Sequence, residues 1–162
     1  MRDAPERLPG FVEVYGAYSR DIWRYALSLS GDRAWADDLT AEAFLRIWEA
    51  GQRVQLATVK AYLVAIVRNL YLKDLVKRRR VGEMPEQVQA ASTAGAELEE
   101  VLQLLQRMPE DDRSALLMRA EQGLSYAEVG ELLGLSEGAA RVKVHRARAR
   151  LIEMRDGHGT TH

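Results

Sequence analysis

Cysteine is absent from the 162-residue sequence. Disulfides, thiolate metal sites and cysteine nucleophiles are thereby excluded, and nothing calls for an oxidising compartment. Histidine is scarce: His145, His158 and His162 lack ligand spacing, so no metal centre is expected. No phosphate-binding loop and no nucleophile–base pair is visible, which leaves an enzyme and a cofactor without support. No apolar run approaches the length of a membrane span, and the opening MRDAPERLPG has no signal-peptide core, so a cytoplasmic chain without membrane insertion is expected. Aromatic residues are few (two Phe, three Trp, six Tyr) and β-branched runs short, while Ala, Leu, Glu and Arg dominate. That composition predicts an all-α protein. Net charge is also lacking, with 23 Lys and Arg against 24 Asp and Glu. A free-standing DNA binder is often net basic. Here the charge is segregated instead. Stretches 68–80 and 141–155 are basic, whereas 32–49 and 97–112 lean acidic, a polarity suited to touching nucleic acid on some surfaces and a basic partner on others.

The most informative stretch is SYAEVGELLGLSEGAARVKVHRARAR, residues 125–150. Ser125 and Glu128 have capping-box spacing, and Val129, Leu132 and Leu133 form one apolar face. Gly134 stands where the chain must turn with positive φ, Leu135 can plug the joint, and Ser136 caps a second helix. That helix keeps Ala140, Val144, Ala147 and Leu151 on its inner face. Arg141, Val142, His145 and Arg148 fall opposite, flanked by Lys143, Arg146 and Arg150. A capped short helix, a glycine turn and a basic second helix predict a helix-turn-helix whose second helix can enter a DNA major groove.

Upstream, a helix is predicted from near Pro9 to Ser30 on the spacing of Phe11, Val14/Tyr15, Tyr18, Ile22, Tyr25/Ala26 and Leu29, with Gly31 ending it. Asp32 can cap a second helix carrying Trp35, Leu39, Phe44, Ile47 and Trp48, closed by Gly51. A third runs from about Thr58 to Arg79 on Val59, Tyr62/Leu63, Ile66/Val67, Leu70 and Leu75. Residues 81–96 lose all periodicity and read as a flexible linker. Two small helical domains are therefore expected, at 8–80 and 97–155. In the second, Leu98, Val101, Leu102, Leu105 and Met108 predict a helix that Pro109 breaks. Ala115, Leu116, Leu117 and Ala120 give the next one its inward face, and Gly123 ends it. After Leu151 the polar tail is expected to fray.

Three stretches, in order, resemble the smallest bacterial sigma factors, the extracytoplasmic-function group of the sigma-70 family, which consist of regions 2 and 4. Asp37-Asp38-Leu39-Thr40-Ala41-Glu42-Ala43-Phe44-Leu45-Arg46-Ile47-Trp48 is similar to the region 2 pattern D-L-x-Q-E-x-F-L-x-x-W, with Ala41 replacing glutamine. Ala61-Tyr62-Leu63-Val64-Ala65-Ile66-Val67-Arg68-Asn69-Leu70, with the basic end Lys77–Arg80, is similar to W-L-x-x-I-A-R-N. Met108-Pro109 through Arg150 resembles region 4.

The resemblance implies a promoter-specificity subunit. Asp37, Asp38, Glu42 and Arg46 would bind core RNA polymerase at the β′ clamp helices, with the β subunit also contacted. Tyr62, Arg68, Asn69, Lys73, Lys77, Arg78, Arg79 and Arg80 would meet the minus-ten element of promoter DNA. There, bases unstacked by melting can be held by aromatic faces beside a basic groove. Val64 and Ala65 stand where the family often has polar or basic residues. Ser136, Glu137, Arg141, Val142, Lys143, His145, Arg146 and Arg148 would meet the minus-thirty-five element. Arg141 is the first choice for a base contact, since a guanidinium can grip guanine O6 and N7 together. Many members of the family are held inactive by an anti-sigma protein wedged between the two domains, and the linker makes that geometrically feasible. The rival reading from the helix-turn-helix alone is a stand-alone transcriptional regulator whose N-terminal helices dimerise or bind a ligand.

Overall fold

The structure is a computed structural model and describes residues 10–50, 59–82 and 95–159. Its elements are α1 (Phe11–Ser30), α2 (Arg33–Ala50), α3 (Val59–Arg80), α4 (Gly95–Gln106), α5 (Glu110–Leu116), α6 (Tyr126–Leu133) and α7 (Glu137–Gly159). No strand occurs among the described residues.

The ends of these helices follow from local hydrogen bonding. Glu13 accepts the N–H of Gly10 at the start of α1. Gly31, at φ 72°, ends α1 by donating to Leu27 O at 2.7 Å. Asp32 then accepts the Trp35 N–H at 2.9 Å and starts α2, so α1 and α2 form a tight helical hairpin. The third helix packs on both, burying Val59, Leu63, Val64, Val67 and Tyr71. At the centre of this bundle Trp35 donates its indole N–H to Asp74 (3.2 Å), lies 4.9 Å from the Tyr71 ring and is covered by the Arg78 guanidinium at 3.9 Å. Val64, which departs from the family's usual polar residue, is fully buried core.

In the C-terminal half, α4 packs between α1 and α7. That two-sided packing turns its buried arc toward Leu102, Leu104, Leu105 and Met108, leaving Leu98 and Val101 at the surface, where the periodicity had put them inside. After Pro109, α5 runs into a π-helical turn, Leu117–Glu121, closed by Gln122 N–H to Leu117 O at 2.9 Å. A wider turn advances each residue less about the axis. Met118 is thereby carried inward and Ala120 outward, against the expectation for Ala120. The tail also differs from expectation: α7 continues past Leu151 to Gly159, because Met154 extends its inner face onto the core. Gly95 and Ala96 belong to α4 rather than to the predicted linker. Pro9, Gly51, Thr58 and residues 83–94 of that linker lie outside the described residues.

One apolar cluster runs through both halves. Polar contacts accompany it across the seam. Tyr25 Oη and Ser114 Oγ are 3.2 Å apart, Ser28 donates to Glu121 (3.0 Å), and Gln106 and Gln122 donate to the backbone oxygens of Ser28 and Asp21, each at 3.0 Å. Burial pushes the Tyr25 hydroxyl far above the usual tyrosine range and raises Glu121 above the usual glutamate value.

Candidate functional site

The outward face of α2 is acidic at one end and apolar at the other. Asp37 and Asp38 are exposed, and Asp37 accepts the Trp23 indole N–H at 2.7 Å. Beside it a cleft of about 470 Å³ between α1 and α2 is lined by Tyr15, Arg20, Trp23, Asp37 and Thr40. Glu42 pairs with Arg46 one turn on, at 3.3 Å, so the two charges partly satisfy each other. Sequence reasoning placed Trp48 among the apolar positions of α2. In the structure it is 62% exposed, beside exposed Leu45, and meets the Phe11 ring edge to face (ring centroids 5.3 Å). Phe11, Tyr15, Phe44 and Trp48 form an aromatic cap at this end of the hairpin. The available signal was the Ile47–Trp48 pair, since adjacent helical residues point about 100° apart and Ile47 takes the inward direction.

The residues picked out on α3 divide into groups. Tyr62, Asn69, Lys73, Lys77 and Arg80 are exposed and, at spacings of seven, four, four and three, share one stripe. This stripe offers an aromatic face, an amide and three cations along one edge. Arg79 is exposed beside it. Arg78 is not free, being stacked on Trp35. Arg68 is also engaged, held by both oxygens of Glu110 at 2.8 Å. Burial disfavours its charge, but the hydrogen bond and charge of Glu110 outweigh this and raise its pKa.

The helix-turn-helix is built by its short-range signals. Ser125 accepts the Glu128 N–H (3.1 Å) while Glu128 accepts the Ser125 N–H (2.9 Å), a complete capping box. Gly134 takes φ 73°, and Ser136 accepts the Ala139 N–H at 3.1 Å. Gly130 was not singled out from the sequence. A Cβ there would lie 2.5 Å from Leu135 O, so this glycine lets the turn fold back against α6. Ala140, Val144 and Ala147 are buried, while Ser136, Glu137, Arg141, Val142, His145, Arg146 and Arg148 are exposed. The Arg141 guanidinium lies 4.4 Å from the Tyr126 ring and 3.6 Å from Glu137. Arg119 packs on the same ring at 4.4 Å, and His145 is 6.4 Å away. Tyr126 thus positions Arg141, a role its place in the first turn of α6 gave no hint of. Lys143 faces α5, held by Asp111 (3.1 Å) and Asp112 (3.0 Å). The hydrogen bond from Asp112 leads the rise in its pKa; at Asp111 desolvation is overcome by Lys143, and the carboxyl is held below its usual range. Among the described residues no cluster of His, Asp and Glu could hold a metal ion.

Comparison with known proteins agrees with this geometry. The family model described as "Sigma-70 region 2" matches residues 14–81, and that described as "Sigma-70, region 4" matches residues 98–151. The ECF RNA polymerase sigma factor SigE of Mycolicibacterium smegmatis is 33% identical over 160 residues, covering 89% of this chain; the chain spans 61% of that relative's length. EcfG of Rhodopseudomonas palustris, also an ECF RNA polymerase sigma factor, is 35% identical over 135 residues, 78% of this chain and 75% of that protein. Among solved structures, the sigma factor RpoE of Bartonella quintana, in complex with the anti-sigma factor NepR, matches with a TM-score of 0.78 at 24% identity, over 90% of this chain and 96% of that one. CnrH, in complex with the cytosolic domain of CnrY, matches with a TM-score of 0.68 at 21% identity, over 91% and 88%. At those identities the structures speak for the fold. The two region matches in order, and the identity to EcfG, establish that the chain belongs to the extracytoplasmic-function group of the sigma-70 family.

Proposed function

We propose that this protein is an RNA polymerase sigma factor of the extracytoplasmic-function type, which binds core RNA polymerase and directs promoter recognition and transcription initiation. The observation that carries it is the separation of opposite surfaces on one helical frame. Asp37, Asp38 and Glu42, beside exposed Leu45 and Trp48, lie on α2, whereas Arg141, His145, Arg146 and Arg148 project from α7. An acidic and aromatic face suits docking to a basic protein helix pair, with Leu45 and Trp48 as apolar anchors. A cationic helix after a glycine turn suits a major groove.

In this reading residues 8–80 act as region 2 and residues 97–155 as region 4, joined by the segment 81–96. Asp37, Asp38, Glu42 and Arg46 meet the β′ clamp helices. The α3 stripe Tyr62, Asn69, Lys73, Lys77 and Arg80, with Arg79 beside it, meets the opened minus-ten strand, Tyr62 stacking on a base and Asn69 reading an edge, while Arg68 and Arg78 join it on leaving Glu110 and Trp35. On α7, Arg141 reads a minus-thirty-five base while Arg146 and Arg148 hold phosphates, joined by Lys143 when it leaves Asp111 and Asp112, and Ser136, Glu137, Val142 and His145 line the approach. RNA synthesis stays with the core enzyme, so the chain itself performs no catalysis. It works in the cytoplasm, where an anti-sigma protein inserted between its halves would block both surfaces. No helix among the described residues is long and apolar enough to cross a membrane.

The test is transcription with purified core polymerase on a library of promoter sequences. Promoter-selective initiation that needs both this chain and the core enzyme is the expected result. Equal initiation with and without the chain would sink the reading.

A further inference from the structure

The first turn of α5 is a run of acidic residues, Glu110, Asp111 and Asp112, followed by Arg113. Each of the four is engaged, and between them they reach both halves of the chain. Glu110 grips Arg68 of α3 through two N–H···O bonds of 2.8 Å, with both side chains only 17% exposed. The same carboxylate accepts from the Ser114 hydroxyl at 2.7 Å, and that hydroxyl lies 3.2 Å from Tyr25 Oη of α1. Arg113, buried, donates to Tyr71 Oη of α3 at 3.1 Å and to the backbone oxygens of Leu105 and Met108. Asp111 and Asp112 hold Lys143 of α7.

Two of these partners, Arg68 and Lys143, belong to the helices assigned to DNA. A carboxylate and a phosphate present the same pair of oxygens to a guanidinium fork, so each can replace the other with little change in geometry. Glu110 therefore occupies the hydrogen-bonding capacity that Arg68 would offer to a phosphate. The seam is also incompletely satisfied. Arg113 Nε and Gln122 Oε1 are buried without a hydrogen-bond partner among the described residues. Both would gain water if the halves parted, which lowers the cost of separation.

We propose that Glu110 is an internal stand-in for DNA phosphate, latching α3 to α5 in the free chain so that Arg68 meets DNA only when the two halves separate. The masking of a DNA contact rests on the reading of α3 given above; the latch itself does not. Phosphate then competes with a tethered carboxylate, and promoter binding and opening of the chain become one equilibrium.

The absence of natural cysteines makes the test direct. Spin labels placed through Ala17→Cys on α1 and Ala149→Cys on α7, both exposed, report the distance between the halves. The otherwise unaltered chain should give one narrow distance. Glu110→Gln, which keeps size but loses the charge, should broaden and lengthen it, and should tighten core-free binding to a single-stranded minus-ten oligonucleotide by roughly tenfold as the competent fraction rises. Asp112→Asn, which loosens only a contact within the C-terminal half, should leave the distance unchanged. Ser114→Ala removes the hydroxyl bracing Glu110 and should move both readouts the same way by less, and it decides the matter where Glu110→Gln loses helix content. An unchanged distance distribution in Glu110→Gln and Ser114→Ala overturns the latch. Opening without tighter oligonucleotide binding overturns the phosphate stand-in and counts against α3 as the DNA-facing helix, while leaving the latch in place.

Discussion

Three glycines in nine residues of the helix-turn-helix make separate predictions under one substitution, alanine. At Gly130 the added Cβ would lie 2.5 Å from Leu135 O and 3.1 Å from Ser136 O, both backbone atoms of the turn. Neither can retreat without moving Gly134 or the cap at Ser136. Overpacking of this kind costs up to about 3 kcal/mol, offset by about 1 kcal/mol of helix propensity, for a net loss of about 2 kcal/mol. For a chain of this size that is a fall in Tm of about 4–8 °C. Gly134 has open space around it but φ +73°, so Gly134→Ala should cost about 1 kcal/mol through backbone strain alone. Gly138 has open space and an ordinary helical backbone, so Gly138→Ala should stabilise by about 0.5 kcal/mol. Thermal denaturation followed by circular dichroism orders the three, and minus-thirty-five DNA binding by Gly130→Ala should fall with the displaced turn. Should Gly130→Ala melt with or above Gly138→Ala, the close approach of turn to helix is refuted.

Other outcomes follow from single contacts. Arg141→Ala should remove roughly 1–3 kcal/mol of discrimination at one minus-thirty-five base pair, measured across promoter variants; a uniform loss at every variant contradicts base reading. Asp38→Lys should weaken binding to core polymerase while leaving the thermal transition in place, because Asp38 is exposed on α2; unaltered affinity removes it from the interface. Burial raises the pKa of Glu121, so its contribution to stability is complete at acid pH and declines as pH climbs through the raised value. Denaturation of Glu121→Gln between pH 4.5 and 8 should show a shallower decline than the parent, and parallel curves would contradict the shift.

Short-range features of the fold were legible because short-range hydrogen bonds decide them. Ser125 with Glu128, Asp32, Ser136, Gly31 and Gly134 all perform at their helix ends as their spacing indicates. The outward face of α7 was readable for the same reason, from its apolar repeat. What escaped the sequence lies at long range. Nothing near Arg68 announces a partner 42 residues on, nor does anything near Tyr25 announce Ser114, 89 residues away. Leu98 and Val101 show the same limit, since periodicity counts apolar residues without knowing how many neighbours a helix will have. Ala120 was misplaced by a change of helix type, which no residue at 117–121 signals by itself.

The π-helical turn at Leu117–Glu121 works as a phase adjuster between the hub at Glu110 and the helix-turn-helix that follows. A residue in an ordinary α-helix advances about 100° about the axis. Each residue of this turn advances less, so its five residues cover little more angle than four would in an α-helix, and deleting one would restore i→i+4 bonding while leaving the chain that follows close to its present direction. A deletion in the regular ladder of α5 would find no such compensation and would turn α6 and α7 by about 100° against the body of the protein, so the wide turn is what lets α5 carry one extra residue with the helix-turn-helix still in phase.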